Sequence, residues 1–216
     1  MCGRFTLTKS GEEVAEAFGL DEALALLPRY NIAPSEPVLV VRQVEPGATR
    51  SVTFARWGLV PRVAPEGKPL INARAETAAT RGVFKDAFAH GRCLVPADGF
   101  YEWQGPKGTK RQPFHLRLAG GGLFGLAGIV EPGAEPGTST LAILTTSPNA
   151  LVEKIHDRMP LIVPRADHAR WLDPRTPLPV LRPLLGPYPA ARMEAWPVGA
   201  AVNNPRLDDP ACLAPI

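Results

Sequence analysis

Proline occupies 25 of the 216 positions, spread from Pro28 to Pro215, beside 20 glycines. Each proline holds φ near −65° and withholds a backbone N–H, so it interrupts both a long helix and the interior of a sheet. That density predicts short elements joined by many rigid turns and argues against a helical bundle. The length suits one ordinary domain with a proper core.

Local signals place several elements. Ser10-Gly11-Glu12-Glu13 reads as a capping box opening a short helix that runs to about Phe18 and ends at Gly19. Pro37 to Val44 and Arg50 to Trp57 read as two strands around the turn Glu45-Pro46-Gly47. Pro61 to Pro69 is a loop, and Val83 to His90 is helix-like. Cys93 to Pro96, Pro113 to Leu118, Leu123 to Val130 and Thr140 to Thr146 are further predicted strands. The last leads through Pro148-Asn149 into a short helix reaching His156. Gly120-Gly121-Gly122 is expected to be a hairpin turn, since it lacks the G-x-x-x-x-G-K-[ST] pattern of a phosphate loop. Val163 to Leu172 and Pro179 to Leu185 are expected as surface helices. Many short strands with a few helices predict an α+β fold around a mainly antiparallel, strongly curved sheet.

A net charge of +3, from 24 basic and 21 acidic side chains, is too small for a protein that coats duplex DNA but permits a local basic cleft. Cys2, Cys93 and Cys212 are odd in number and far apart, which argues against a disulfide framework or a cysteine-rich zinc site. The chain shows no signal-peptide pattern and no apolar run long enough to span a bilayer. We therefore expect a cytoplasmic protein (nucleoid-associated in a bacterium), a monomer, with no membrane partner, metal or cofactor. Neither a G-x-S-x-G elbow nor an H-E-x-x-H pair occurs.

Four residues could carry chemistry. Cys2 follows the initiator methionine; trimming of Met1 would leave an α-amine (pKa about 8) and a thiol (about 8.5) on adjacent carbons. Together they can take up an aldehyde as a Schiff base and then close a five-membered thiazolidine. Otherwise Cys2 is a small apolar residue packed inward. Asn72, after Leu70-Ile71, reads either as a turn residue or as an amide that orients a carbonyl or hydroxyl, with Arg74 two residues on as a phosphate fork. Glu102 lies in Asp98-Gly99-Phe100-Tyr101-Glu102-Trp103, where aromatics would raise its pKa toward general acid–base range; an edge-strand Glu facing water reads the same way. His156, in Ile155-His156-Asp157-Arg158, is a proton shuttle or a helix-end dipole partner. Trp57, Trp103 and the Tyr30-Asn31-Ile32-Ala33-Pro34 segment could face bases, and Arg4, Arg56, Arg74 and Arg158 could meet phosphates.

In order along the chain stand Met1-Cys2-Gly3-Arg4-Phe5, Arg29-Tyr30-Asn31-Ile32-Ala33-Pro34, Arg56-Trp57-Gly58-Leu59-Val60-Pro61 and Ile71-Asn72-Ala73-Arg74-Ala75-Glu76-Thr77. Arg92-Cys93-Leu94-Val95-Pro96-Ala97-Asp98-Gly99-Phe100-Tyr101-Glu102-Trp103, Thr145-Thr146-Ser147-Pro148-Asn149, Ile155-His156-Asp157-Arg158-Met159-Pro160 and a terminal stretch from Trp196 to Pro205 follow. This series resembles the SOS-response-associated peptidase (SRAP) family across nearly the whole chain. The resemblance implies one SRAP-like domain over residues 1–216, with a barrel-like sheet flanked by short helices. It implies a sensor that links its N-terminal cysteine to the ring-opened sugar of an abasic site in single-stranded DNA, including primer-template junctions.

Carried over by motif, Cys2 is the nucleophile, Asn72 holds the N-terminus and the opened sugar, Glu102 shuttles protons, and His156 assists ring opening. Arg4, Arg74 and Arg158 bind phosphates, while Pro34 and Trp103 line the nucleotide path. Asn31 and Trp57 complete the expected DNA-binding set. One departure stands out: many relatives carry a tryptophan wedge shortly after the Trp-Gly-x-x-Pro motif, and here the stretch is Arg62-Val63-Ala64-Pro65-Glu66, so Arg62 is expected to take over with a phosphate or cation–π contact. Two other readings stay open. One is a cysteine peptidase pairing Cys2 with His156, whose retained role is self-removal of Met1. The other is a non-covalent reader of single-stranded or modified DNA.

Overall fold

Five strands close on themselves. The computed structural model describes residues 2–63, 66–106 and 108–216; Met1, Ala64 and Pro65, on which two of the expectations fall, lie outside them. In chain order the elements are β1 (Phe5–Leu7), α1 (Gly11–Phe18), β2 (Arg29–Ile32), β3 (Pro37–Arg42), β4 (Ser51–Trp57), β5 (Asn72–Arg74), α2 (Ala75–Ala78) and α3 (Gly82–His90). They continue with β6 (Arg92–Ala97), β7 (Gly99–Gln104), β8 (Gln112–Leu118), β9 (Phe124–Pro132), β10 (Ser139–Thr146), β11 (Met159–Pro160), β12 (Ile162–Val163), α4 (His168–Leu172), α5 (Leu178–Leu181) and β13 (Met193–Pro197).

The barrel runs β3-β4-β10-β9-β6 and back to β3. The β3–β4 hairpin is in register from Pro37↔Arg56 to Arg42↔Ser51. β4 meets β10 in parallel at Arg56↔Thr140, and β10 meets β9 antiparallel from Ser139↔Pro132. β9 pairs along the whole of β6, and β6 closes onto β3 at Val41↔Leu94. The mainly antiparallel, curved sheet expected from sequence is present, with parallel seams where β10 meets β4 and β5. Closure removes sheet edges and turns the inner positions into one core. Val40, Leu126, Leu141 and Ile143 are fully buried in it, while Leu94 and Ile129, on the opposite face of β6 and β9, are fully buried as well. α3 and α4 cover the outside of β6 and β9, so these strands are apolar on both faces. The buried Arg92 caps both helices, giving Nη1 to Phe88 O (3.0 Å), Nε to Trp171 O (2.9 Å) and Nη2 to Asp173 O (2.7 Å).

A second, wholly antiparallel sheet, ordered β13-β8-β7-β1-β2, stands beside the barrel. Phe5 of β1 packs on Trp57 of β4 with ring centroids 5.5 Å apart and ties the two together.

The capping box on α1 forms as expected: Ser10 N–H donates to Glu13 Oε2 (2.9 Å), Glu13 N–H to Ser10 Oγ (3.3 Å), and Gly19 ends the helix at φ 60°. Two expectations need correction. The triglycine is not a hairpin turn. β8 and β9 belong to different sheets, and Gly120, Gly121 and Gly122, with φ of 76°, 79° and 103°, cross between them in a conformation that other residues resist. The stretch Val163 to Leu172 is not a surface helix. It divides into β12, a 3₁₀ turn and the five-residue α4, whose Trp171 is buried and donates its indole N–H to Cys93 O at 2.9 Å.

Candidate functional site

β7 carries the central carboxyl, and β1 brings the N-terminus to it. β1 and β7 pair antiparallel at Phe5↔Phe100 and Thr6↔Gly99, and Tyr101 N–H donates to Arg4 O at 3.0 Å. Continued by two residues, that register lays residues 2 and 3 alongside Glu102 and Trp103. Cys2 is fully buried, its thiol directed at Arg4 O 3.9 Å away. Burial pushes the thiol far above its ordinary pKa, and the nearby charge of Glu102 adds to the effect. The thiol is therefore protonated and needs a base before it can attack.

Glu102 can be that base. β7 lies between β1 and β8, not at an edge, and Glu102 is 1% exposed, so the water-facing alternative fails. Burial lifts its carboxyl from 4.5 to about 7, the range in which one group both gives and takes protons at cellular pH.

His156 follows a 3₁₀ turn, Val152–Lys154, and its Nε2 is 3.9 Å from Glu102 Oε2. Its Nδ1 lies 3.0 Å from the Arg158 N–H and also 3.0 Å from Asp157 Oδ1. One nitrogen cannot accept from the first and donate to the second. Burial lowers the pKa of His156, and Asp157 is 88% exposed and can turn to water. The ring is favoured in its neutral form, with Nδ1 held against the Arg158 backbone and Nε2 facing Glu102.

Asn72 opens β5, which runs parallel to β10 with Asn72↔Ile143 and Arg74↔Thr145. Its Nδ2 donates to Ile143 O at 3.4 Å, while Oδ1 is buried with no hydrogen-bond partner among the described residues. A buried amide oxygen without a donor costs free energy unless a ligand supplies one. Arg74 is exposed, and among the described residues it forms no ion pair. Arg4 sits 6.0 Å over the Trp103 ring, and Trp103 Nε1–H donates to Asn203 Oδ1 at 2.7 Å.

The family model for SOS response associated peptidase (SRAP) matches residues 1–205. The chain belongs to this family. It is 38% identical over 220 residues, 97% of each chain, to the abasic site processing protein YoqW of Bacillus subtilis (strain 168). It is 31% identical over 226 residues, the whole of both chains, to the abasic site processing protein YedK of Escherichia coli (strain K12). A crystal structure of a Bacteroides thetaiotaomicron protein superposes over both full lengths with a TM-score of 0.83 at 22% identity, a likeness of fold.

Not every expected contact of this SRAP protein faces outward. Trp57 is fully buried, packed on Phe5, with its indole N–H donated to Ile71 O at 2.8 Å. It is a core residue that steadies the strand entering Asn72, not a base-stacking surface. Asn31 is likewise buried; its Nδ2 donates to Asn204 O (3.0 Å) and Leu207 O (2.8 Å) and anchors the C-terminal segment. Pro34 is half-buried in the turn between β2 and β3, next to Ser35 at φ 75°, the one non-glycine residue with positive φ among those described. Arg158 is engaged: Nη1 and Nη2 grip both oxygens of Glu76 at 2.8 Å, and Nη2 also donates to Thr145 O at 2.6 Å. A phosphate on this fork would have to displace Glu76. Glu76 and Asn203 stand within the motifs but carry no local signal of their roles, because their partners lie 82 and 100 positions away.

Proposed function

We propose that this SRAP protein senses and shields abasic sites in single-stranded DNA, capturing them through the amine and thiol of Cys2 as a thiazolidine. The reading is carried by one observation: a carboxyl that titrates near neutrality is buried within electrostatic reach of Cys2 and 3.9 Å from His156. The family and the printed names of its relatives YoqW and YedK support the substrate class.

Removal of Met1 frees the α-amine of Cys2. His156 assists opening of the lesion's sugar ring to the aldehyde. The amine adds to the carbonyl carbon, giving a carbinolamine, and protonated Glu102 delivers the proton with which hydroxide leaves as water. The thiol sulfur then attacks the iminium carbon while Glu102 takes up the thiol proton. Aldehyde, amine and thiol become one thiazolidine plus one water, with no change of oxidation state. Ring closure consumes the iminium, which would otherwise drive β-elimination of the 3′ phosphate. Asn72 Oδ1 receives the N-terminus or a hydroxyl of the opened sugar, and Arg4 and Arg74 hold flanking phosphates. Single strands and primer-template junctions are the favoured substrates, because exposing one sugar in a duplex costs a few kcal/mol of stacking.

The experiment is a denaturing gel of pure protein with an abasic single strand. A heat-stable adduct is expected from the wild type, whereas Cys2→Ser and Cys2→Ala leave only a reversible species that borohydride traps. A stable adduct from either variant sinks the mechanism. A cysteine peptidase would need a thiolate and would tolerate a blocked amine; burial of the Cys2 thiol works against it.

A further inference from the structure

The C-terminal motif Asn203-Asn204-Pro205 has no place in the chemistry above, yet Asn203 touches Trp103, one of the residues expected to line the nucleotide path. Its Oδ1 accepts the Trp103 indole N–H at 2.7 Å, a short bond for this pair of groups. The ring so held lies beneath the Arg4 guanidinium, 6.0 Å from centroid to Cζ. Arg4 has little else to orient it among the described residues: Nη1 makes a long 3.4 Å contact to Gly3 O, and Nε is buried with no hydrogen-bond partner among them.

Asn203 is exposed, but its backbone is clamped on both sides. Before it, Val202 is fully buried in a small cluster with Tyr101, Val198 and Cys212. After it, the carbonyl of Asn204 is captured by Asn31 Nδ2 at 3.0 Å, and the Asp208 carboxylate takes the Asn31 N–H at 3.0 Å and the Arg29 guanidinium. Immobilising a surface amide normally costs side-chain and backbone entropy. Here folding of the tail has already ordered the backbone, so Asn203 acts as a fixed acceptor.

We infer that Asn203 is a positioning residue for DNA binding, pinning Trp103 so that its ring and the Arg4 guanidinium over it present a set aromatic and cationic wall to the strand. The inference rests on the proposed function and extends the site to the C-terminal segment.

A double-mutant cycle tests it, read by fluorescence anisotropy on an undamaged, labelled single strand so that the covalent step plays no part. Asn203→Ala is expected to weaken binding about 3- to 10-fold. Trp103→Phe keeps a ring but loses the N–H and leaves the tail intact, and it is expected to lose a similar factor. In the Trp103→Phe background, Asn203→Ala should add less than about twofold. Equal losses from Asn203→Ala in both backgrounds would make its role structural and overturn the inference, as would wild-type binding by either single variant. Should Asn203→Ala melt cooperatively only well below the wild type, Trp103→Phe alone still decides. A wild type that binds no single strand fells the proposed function as well; a wild type that binds, with neutral variants, fells this inference only.

Discussion

His156 Nε2 and Glu102 Oε2 stand 3.9 Å apart, an imidazole and a carboxyl both withdrawn from water at the point where β1 delivers Cys2. Burial drives the two groups toward their neutral forms from opposite sides, lowering the histidine and raising the glutamate to about 7. At cellular pH the carboxyl can therefore both give and take a proton, beside an imidazole that burial holds toward its neutral form.

Glu102→Gln should separate function from stability. The folded carboxyl titrates at about 7 and the unfolded one at 4.5, so between those values the unfolded chain releases a proton that the folded protein keeps. Wild-type stability should therefore fall as pH rises from about 4.5 and level off above 7, by about 3 kcal/mol at most. Thermal melts across pH should show that slope flattened in the variant. Its rate of crosslinking should drop at least about 100-fold and lose any inflection near pH 7. An unchanged rate would remove Glu102 from the chemistry.

His156→Ala tests ring opening. With a natural abasic site, which is mostly a closed hemiacetal, crosslinking should slow by about 100-fold. With an oligonucleotide bearing an open-chain aldehyde the loss should be under about threefold. Equal losses on both substrates would place His156 at a later step.

Glu76→Gln should release the Arg158 fork. The ion pair is partly exposed, at 17% for Arg158 and 45% for Glu76, so its loss should cost under about 1 kcal/mol of stability. A freed guanidinium should tighten binding to undamaged single strands and steepen the dependence of log K on log salt by about 0.7. An unchanged slope would show that Arg158 serves only to latch the loop that carries His156.

Trp57→Phe should behave as a core substitution. Loss of the bond to Ile71 O and of part of the ring should lower stability by about 1–3 kcal/mol, read from urea unfolding. Single-strand affinity of the folded variant should stay within about twofold. A loss as large as that from changing Trp103 would restore Trp57 to the DNA surface.

What the amino-acid sequence determined by itself is local or linear. The α1 cap, the β3–β4 hairpin and the helix to His90 were legible because caps, turns and hydrophobic alternation act over a few residues. The order of short motifs marks the family, and Cys2, Asn72, Glu102 and His156 stand within them. Tertiary structure decided everything that depends on partners distant along the chain. Barrel closure brings β3 to β6 and β4 to β10, and placing β7 between β1 and β8 excludes the water that would hold Glu102 near 4.5. The same long-range packing turned Trp57 and Asn31 inward, sent the triglycine between two sheets, seated Glu76 on Arg158, and set Asn203 against Trp103 across 100 positions. Desolvation and hydrogen-bond partnership arise from neighbours in space, and short-range patterns carry no record of them.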